Sequence, residues 1–496
     1  MSVRGRRSLG VVIALLLSLV ATGCTDDDPT QPAVLEPLAM KHPLNVVVLL
    51  ADDMDDFSCA ETATYMPESS PWLHDQGRCY ENATVSSPVC CPSRAVMQTG
   101  QLNHNNGVRT QKDARKLRVP TSMQRLLTRA GLATYGTGKL YNGVKAWDYE
   151  SGDLESGFAA SDFWQRTNYY GYKLWSEEKQ KPLRPTDDVH TTVRTGDFTT
   201  AFLDSVVDQP GNFYAYAGFK APHTQNLAGE GVLRFPVPTP ANAERPVPPM
   251  RWNPERDTSD KLEIFSQLDH GRRYFAKFNA ARVRAFYDVD QQMARVLQLL
   301  EDAGRLDDTV VVFTSDNGFQ LGSNGWEGKS IPYRDSLEVP LLIRYPDAFE
   351  PGSVDRRRVG LVDIAPTVYD LLGITAPHVL DGHSLLSDAS RRSTFHEFTN
   401  EKSKLVADES GEEATHVPSW ATYRIGDRAY VEYYGRSGEV LQREFYTDRD
   451  EKQNLLAPEY AAQRPSEQVL ARFERLLTAA RTCAGTEESG ADNPCP

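Results

Sequence analysis

The chemistry-bearing residues of this 496-residue chain centre on Ser87-Pro88-Val89-Cys90-Cys91-Pro92-Ser93-Arg94. Pro92 suits the first helical position, where its missing N–H and fixed φ cost little. Ala95-Val96-Met97-Gln98 continues the helix and Gly100 stops it. Cys90 then lies at or just before a helix N-terminus, where free N–H groups and the helix dipole favour an anion. Arg94, about one turn on, projects a planar fork of donors toward the same spot. The pattern reads as a cysteine nucleophile of lowered pKa. It reads equally as a disulfide cysteine beside a solvated arginine, and these residues alone do not choose.

Two apolar, β-branched runs end in hard oxygen ligands. Residues 45–50 lead into Asp52 and Asp53, and residues 309–314 into Asp316 and Asn317. If the two strands are neighbours, the side chains converge at one rim, where ligands gather in open α/β sheets. Three clustered carboxylates repel without a cation, so a hard divalent ion, Ca²⁺ or Mg²⁺, is the natural companion and zinc is disfavoured. The alternative is that these are ordinary turn acids; Asp55 and Asp56 are read as solvated. Lys139 follows Gly138 at a strand end, and Lys329 precedes Ser330-Ile331-Pro332. Either places an ammonium on anionic oxygens, though a single lysine is more often a surface group. His223 follows the strand at 213–219 and is placed for general-acid work, while a lone histidine is more often structural. His104, between Asn103 and Asn105, is a weaker candidate for substrate contact.

Cys90-Cys91-Pro92-Ser93-Arg94 resembles the C-x-P-S-R signature of type I sulfatases, the formylglycine-dependent branch of the alkaline phosphatase superfamily. The doubled cysteine is similar to the version in N-acetylglucosamine-6-sulfatases. The resemblance extends from Asn45 to Glu444-Phe445-Tyr446-Thr447-Asp448, which looks like the family's E-L-Y-D-L run ahead of Asn454-Leu455. It implies that a separate formylglycine-generating enzyme oxidises Cys90 to formylglycine (3-oxoalanine). It implies that Asp52, Asp53, Asp316 and Asn317, with an oxygen of residue 90, bind Ca²⁺. Lys139, Lys329 and Arg94 would hold sulfate oxygens, and His223, in an A-P-H segment like the family's, would protonate the departing alcohol. The implied reaction is hydrolysis of a sulfate ester of a sugar or aryl alcohol. One hydroxyl of the hydrated aldehyde attacks sulfur and the second then expels sulfate. A serine could attack but could not release sulfate this way. Many family members carry a histidine two places after the first lysine, where this chain has Tyr141. The glucosamine-6-sulfatase-like members also lack it, and Asn142 resembles their asparagine. The rival readings are a phosphonate monoester or phosphodiester hydrolase of the same superfamily, and a lipoprotein that binds sulfated glycans without cleaving them.

The formal charge of −14 argues against a nucleic-acid binder. It fits a small anionic substrate only if Arg94, Lys139 and Lys329 share one pocket. At the N-terminus Arg4, Arg6 and Arg7 precede a short apolar stretch, and Ala21-Thr22-Gly23-Cys24 resembles a bacterial lipobox. Residues 1–24 therefore read as a signal with Cys24 lipidated, and 25–42 as a tether. That puts the protein outside the cytoplasm, secreted or lipid-anchored. An ordinary cleaved signal is the alternative, and Arg6-Arg7 fits twin-arginine export poorly. Of the remaining cysteines, Cys483 and Cys495 would close a short loop. Among Cys59, Cys79 and Cys91 one is odd, and the sequence does not choose it.

The elements that must position these residues alternate. Strands are expected at 45–50, 134–137, 213–219, 309–314 and 339–344, with helices at 121–130, 196–207, 280–303 and from Pro366. Such alternation predicts an α/β fold with a doubly wound, mostly parallel sheet, the alkaline phosphatase-like architecture that the resemblance also implies. Residues 148–185 and 227–254 read as loops and substrate surface. From about residue 390 shorter alternating strands (421–425, 429–434, 440–446) and a helix at 466–481 suggest a small antiparallel sheet with a packed helix. The expected division is a catalytic domain at 43–389 and a C-terminal subdomain at 390–496.

Overall fold

The computed structural model describes residues 37–142, 157–164, 168–176, 181–183, 188–225, 235–266, 270–388, 391–400 and 417–496. The signal, lipobox and most of the tether lie outside the described residues. The expected α/β architecture is present. Strand β1 (Asn45–Asp52) is buried along its whole length, as an unbroken Val/Leu run requires. The other strands of the large sheet are β2 (Arg78–Thr84), β3 (Ala133–Gly138), β4 (Ala160–Phe163), β5 (Phe213–Pro222), β6 (Thr309–Ser315), β7 (Leu341–Arg344) and β8 (Ser353–Gly360). Their order is β8-β2-β7-β6-β1-β5-β3-β4. Only β7 runs against its neighbours.

Alternate residues of β1 face opposite cores. Val46, Val48 and Leu50 pack with α1 (Cys90–Thr99), α2 (Met123–Arg129) and α5 (Ile364–Leu372). Val47, Leu49 and Ala51 pack with α3 (Thr191–Val206) and the long α4 (Arg272–Asp302). Helices therefore cover both faces, and the sheet is doubly wound.

The strand tips align because the strand feet are pinned. At the foot of β1, Asn45 donates to Asp308 Oδ1 (2.9 Å) and accepts from the Phe213 N–H (3.2 Å). With that register Ala51 stands opposite Ser315. Asp52 and Asp53 then leave β1 beside Asp316 and Asn317 leaving β6.

Three parts of the fold depart from expectation. β2 and β8 fall in stretches where no strand was expected, and β4 and a short ribbon (Leu174–Ser176 with Lys181–Leu183) fall inside the expected loop at 148–185. Helix α4 begins eight residues before the apolar repeat does. Helix α1 starts at Cys90, with Pro92 as its third residue, where an N–H is not needed; it ends at Gly100, whose φ is 65°.

The C-terminal sheet is an antiparallel meander of β9 (Ser393–Phe398), β10 (Ser419–Ile425), β11 (Arg428–Tyr434) and β12 (Val440–Tyr446). One face packs on α6 (Glu467–Ala480) through Tyr430, Phe445, Phe473 and Leu477. The other sends Trp420, Val431, Tyr433 and Tyr446 into the main core. This sheet also grips the segment after Lys329. Trp420 Nε1 donates to Ser330 O (2.8 Å), and Arg424 Nη2 donates to Pro332 O (2.5 Å). Glu451, beyond β12, accepts the Arg334 N–H (2.9 Å). Disulfides join Cys59 to Cys79 and Cys483 to Cys495, which leaves Cys90 and Cys91 as the thiols among the described residues.

Candidate active site

Helix α1 delivers Cys90 to the gap between the β1 and β6 tips. Its sulfur lies 3.6 Å from Asp52 Oδ1, 3.0 Å from Lys329 Nζ and 3.5 Å from Lys139 Nζ. Arg94, one turn on, is fully buried with Nε on Asp316 Oδ2 at 2.8 Å. Its Nη1 donates to the Lys139 carbonyl, and its Nη2 stands 3.6 Å from Asp52 Oδ1. Arg94, Lys139 and Lys329 thus gather about Cys90 and the strand tips in an otherwise acidic protein, the clustering an anionic substrate would need.

Lys139 reaches the site because Gly138 turns the chain out of β3 at φ 86°; a Cβ there would stand 2.0 Å from the Gly218 carbonyl. Lys139 Nζ pairs with Asp52 Oδ2 and Lys329 Nζ with Asp53 Oδ1, each at 2.5 Å. Asp53 has φ 65°, a conformation costing an L-residue with a Cβ roughly 1–2 kcal/mol. Its N–H donates to Asp316 Oδ1 (3.1 Å), and the next N–H, of Met54, donates to Ser315 Oγ (2.8 Å). His223, at the end of β5, points Nε2 at Asp53 Oδ2 (3.6 Å). Its Nδ1 donates to Thr224 O (2.8 Å), where the carbonyl can only accept.

The electrostatics follow from burial. Burial alone would raise the Asp52 carboxyl, but Lys139, His223, Arg94 and Lys329 outweigh it and hold it well below the usual carboxylate range. Asp53 is likewise lowered against its burial, by Lys329 and His223. Asp316 goes the other way: burial and the neighbouring Asp52 raise it in spite of Arg94. For Cys90 the expectation of a lowered pKa fails. Burial pushes the thiol well above its ordinary value, and the two lysines only partly offset it.

The donor set fits a hard divalent cation. Ligand atoms of Asp52, Asp53, Cys90 and His223 lie within 4.8 Å of one another. Asp316 and Asn317 adjoin them through Asp53, whose Oδ1 accepts from Asn317 Nδ2 (2.7 Å). Asn317 Oδ1 is buried with no hydrogen-bond partner among the described residues, which leaves it open to a cation.

Two sequence expectations are corrected. His104 is not in the pocket: it is bonded to Glu397 Oε1 (2.9 Å) and Cys483 O (3.0 Å), tying helix residues 103–106 to the C-terminal disulfide loop. Asp55 is only partly exposed, and its carboxylate pairs with the buried Arg282 of α4. The sequence reading also missed Tyr216, whose hydroxyl donates to Lys139 O (3.0 Å) and accepts from Arg94 (3.3 Å), and Lys220, whose Nζ donates to Thr224 O (2.8 Å) beside His223. Tyr216 lies in an apolar run and signals only a core position. Asn142 donates its N–H to the Cys91 sulfur (2.9 Å), so the second cysteine braces the turn after Lys139.

Residues 44–374 match the family model described as sulfatase. The extracellular sulfatase SULF-1 homolog of Drosophila melanogaster is 29% identical over 69% of this chain and 31% of its own length. The N-acetylglucosamine-6-O-sulfatase of Bacteroides thetaiotaomicron is 25% identical over 69% of this chain and 70% of its own. The chain spans between about a third and a half of the length of the first two curated relatives it matches, the Drosophila protein and a Caenorhabditis elegans Sulf-1 homolog. Among solved structures, a protein in complex with its substrate D-glucosamine-2-N,6-O-disulfate superposes with TM-score 0.69 and 20% identity, covering 88% of this chain and 97% of that one. The phosphonate monoester hydrolase of Agrobacterium radiobacter gives 0.65 and 20%, covering 88% and 95%.

Proposed function

The chain belongs to the sulfatase family, and on that premise we propose that it is a sulfuric ester hydrolase removing sulfate from a sulfated sugar. The supporting observation is the convergence of Lys329 (3.0 Å) and Lys139 (3.5 Å) on Cys90, with Arg94 anchored on Asp316 (2.8 Å) one turn behind. A divalent cation, Ca²⁺ or Mg²⁺, held by Asp52, Asp53, Asp316 and Asn317 with residue 90, would supply Lewis-acid stabilisation of sulfate oxygens and tip the pocket positive. Formylglycine at Cys90, made by a separate formylglycine-generating enzyme, would supply a hydrated aldehyde as nucleophile in place of a thiol that burial keeps protonated.

The chain's own side chains do the rest. Arg94, held on two sides by Asp316 and the Lys139 carbonyl, presents Nη2 to the pocket without reorganising. Lys139 and Lys329 bind sulfate oxygens and orient the ester for in-line attack. His223 protonates the departing alcohol. Its Nδ1–H is committed to Thr224 O (2.8 Å), which leaves Nε2, 3.6 Å from Asp53 Oδ2, as the nitrogen placed to deliver the proton.

Residues 43–389 carry the catalytic groups, and 390–496 brace the Lys329 segment. The substrate class we assign is a glycan bearing 6-O-sulfated N-acetylglucosamine, on the strength of the doubled cysteine and the Bacteroides relative's name. The lipobox-like Cys24 and two disulfides support an extracytoplasmic, lipid-anchored protein; among the described residues no helix is long and apolar enough to cross a membrane. Co-expression with a formylglycine-generating enzyme, mass spectrometry of the peptide containing position 90, and assay on sulfated sugars and 4-nitrophenyl sulfate test the reading. Sulfate release at full rate from protein retaining the Cys90 thiol would overturn it. The fold shared with a phosphonate monoester hydrolase favours one rival, which wins if phosphonate or phosphodiester turnover exceeds desulfation.

A further inference from the structure

Asp53 sits in a left-handed turn, and something outside that turn must hold it there. Helix α4 supplies the group. Arg282, buried at 2% exposure, donates from Nη2 to the Asp53 carbonyl at 2.5 Å and pairs with Asp55 two residues on. Its guanidinium also lies over the Phe319 ring, 4.4 Å from the centroid. Phe319 follows Asn317 by two residues. One side chain from a 31-residue helix therefore touches the segments leaving both ligand-bearing strands.

We propose that Arg282 is a positioning residue that fixes the left-handed turn at Asp53 and its spacing from the Asn317–Phe319 segment, and so sets the affinity of the cation pocket. The inference rests on the cation reading given under Proposed function. Asp53 pays for its backbone geometry only if the turn is held from several directions. Asp316 and Ser315 hold the amides of Asp53 and Met54, and Arg282 holds the carbonyl of Asp53. Without Arg282 the turn relaxes, the Asp53 carboxylate shifts relative to Asp52 and Asn317, and the donors lose their preset spacing. Lysine at 282 would still donate to the carbonyl, but it has no planar fork to lie on Phe319 while pairing with Asp55.

The test uses metal-free full-length wild type and the Arg282→Met, Arg282→Lys and Asp55→Asn variants. Calorimetric titration with CaCl₂ and with MgCl₂ gives Kd, and hydrogen exchange without metal gives protection of the Asp53 and Met54 amides. Arg282→Met should weaken Ca²⁺ binding about 10- to 100-fold and lower protection of those two amides about tenfold or more. Arg282→Lys should fall between, and the loss in turnover should lie in kcat rather than KM. Asp55→Asn, which keeps the arginine, should show a smaller change in the same direction and serves if Arg282→Met does not fold. Unchanged amide protection together with wild-type Kd in folded Arg282→Met overturns the proposal, as does an unchanged Asp55→Asn if only that variant folds. A wild type that binds neither cation sinks the cation reading instead, and amide protection still decides whether Arg282 holds the turn.

Discussion

Arg94 Nε and Asp316 Oδ2 meet at 2.8 Å in a fully buried pair that locks the first turn of α1 onto the tip of β6. Asp316 places its other oxygen on the Asp53 amide (3.1 Å), so one carboxylate ties helix α1 to the turn of Asp53. Arg94→Lys keeps a charge but cannot reach Asp316, the Lys139 carbonyl and the pocket together. It should lower kcat about 10²- to 10³-fold. Arg94→Met leaves Asp316 buried without its cation and should lose about 3–5 kcal/mol of stability. Steady-state kinetics and denaturant titration separate the two effects.

Cys90→Ser and Cys90→Ala should both abolish turnover while thermal midpoints stay within a few degrees of wild type, because Cys90 packs in a pocket that either small residue fits. Circular dichroism and a sulfate-release assay decide the point; a serine variant with wild-type turnover would falsify the role of the modified cysteine.

His223→Gln should cost most where the leaving alcohol is a poor leaving group. A sugar sulfate needs a proton on its departing oxygen and should lose about 10²- to 10⁴-fold. 4-Nitrophenyl sulfate leaves as a stabilised phenolate and should lose far less. Equal losses on both substrates would remove His223 from the acid role.

Chelation should lower the unfolding temperature, and added Ca²⁺ should restore it in proportion to the logarithm of its concentration, by about 2.7 kcal/mol at 100 times Kd. Differential scanning calorimetry over a calcium series measures this. A midpoint indifferent to EDTA and to calcium contradicts the pocket assigned to Asp52, Asp53, Asp316 and Asn317.

Glu444 gives a pH signature away from the pocket. It is buried among the hydroxyls of Tyr333 (3.0 Å), Tyr433 (3.2 Å) and Tyr446 (3.0 Å), which all donate to it. Burial pushes its carboxyl from the usual 4.5 up to about 7, against Lys261 and those hydroxyls. Between those pH values the unfolded chain has given up the proton that the folded chain keeps. Its contribution to stability is therefore lost as pH rises from about 4.5 to about 7, by up to about 3 kcal/mol, and is flat above. Glu444→Gln should remove that slope; chemical denaturation at pH 5 and pH 8 reads the difference.

Legibility in the sequence followed burial. β1, β5 and β6 are buried throughout and announced themselves as unbroken apolar runs. β2 carries Arg78 and Glu81 in a half-exposed pattern, and β8 is an edge strand with three consecutive arginines, so neither has the period or composition of a core strand. The pocket was legible wherever a strand or helix end delivered the residue: Asp52, Asp316, Cys90 and His223. Arg282 was not, because it stands in the middle of an amphipathic helix where an arginine reads as solvent-facing, and only the tertiary fold turns it onto Asp53. The Cys90 thiol was misread for a related reason. Helix N-terminus and lysines are visible in sequence, while the desolvation that outweighs them belongs to the packed molecule.

The grip of Trp420, Arg424 and Glu451 on the segment from Ser330 to Arg334 carries a lesson for anyone trimming the molecule. A polypeptide stopped short of residue 419 would still encode every acid and base around Cys90, yet nothing would seat the loop that aims Lys329. Premature termination late in translation should therefore be as damaging to desulfation as termination near the start, and a minimal enzyme cannot be made by cutting at the boundary between the two sheets.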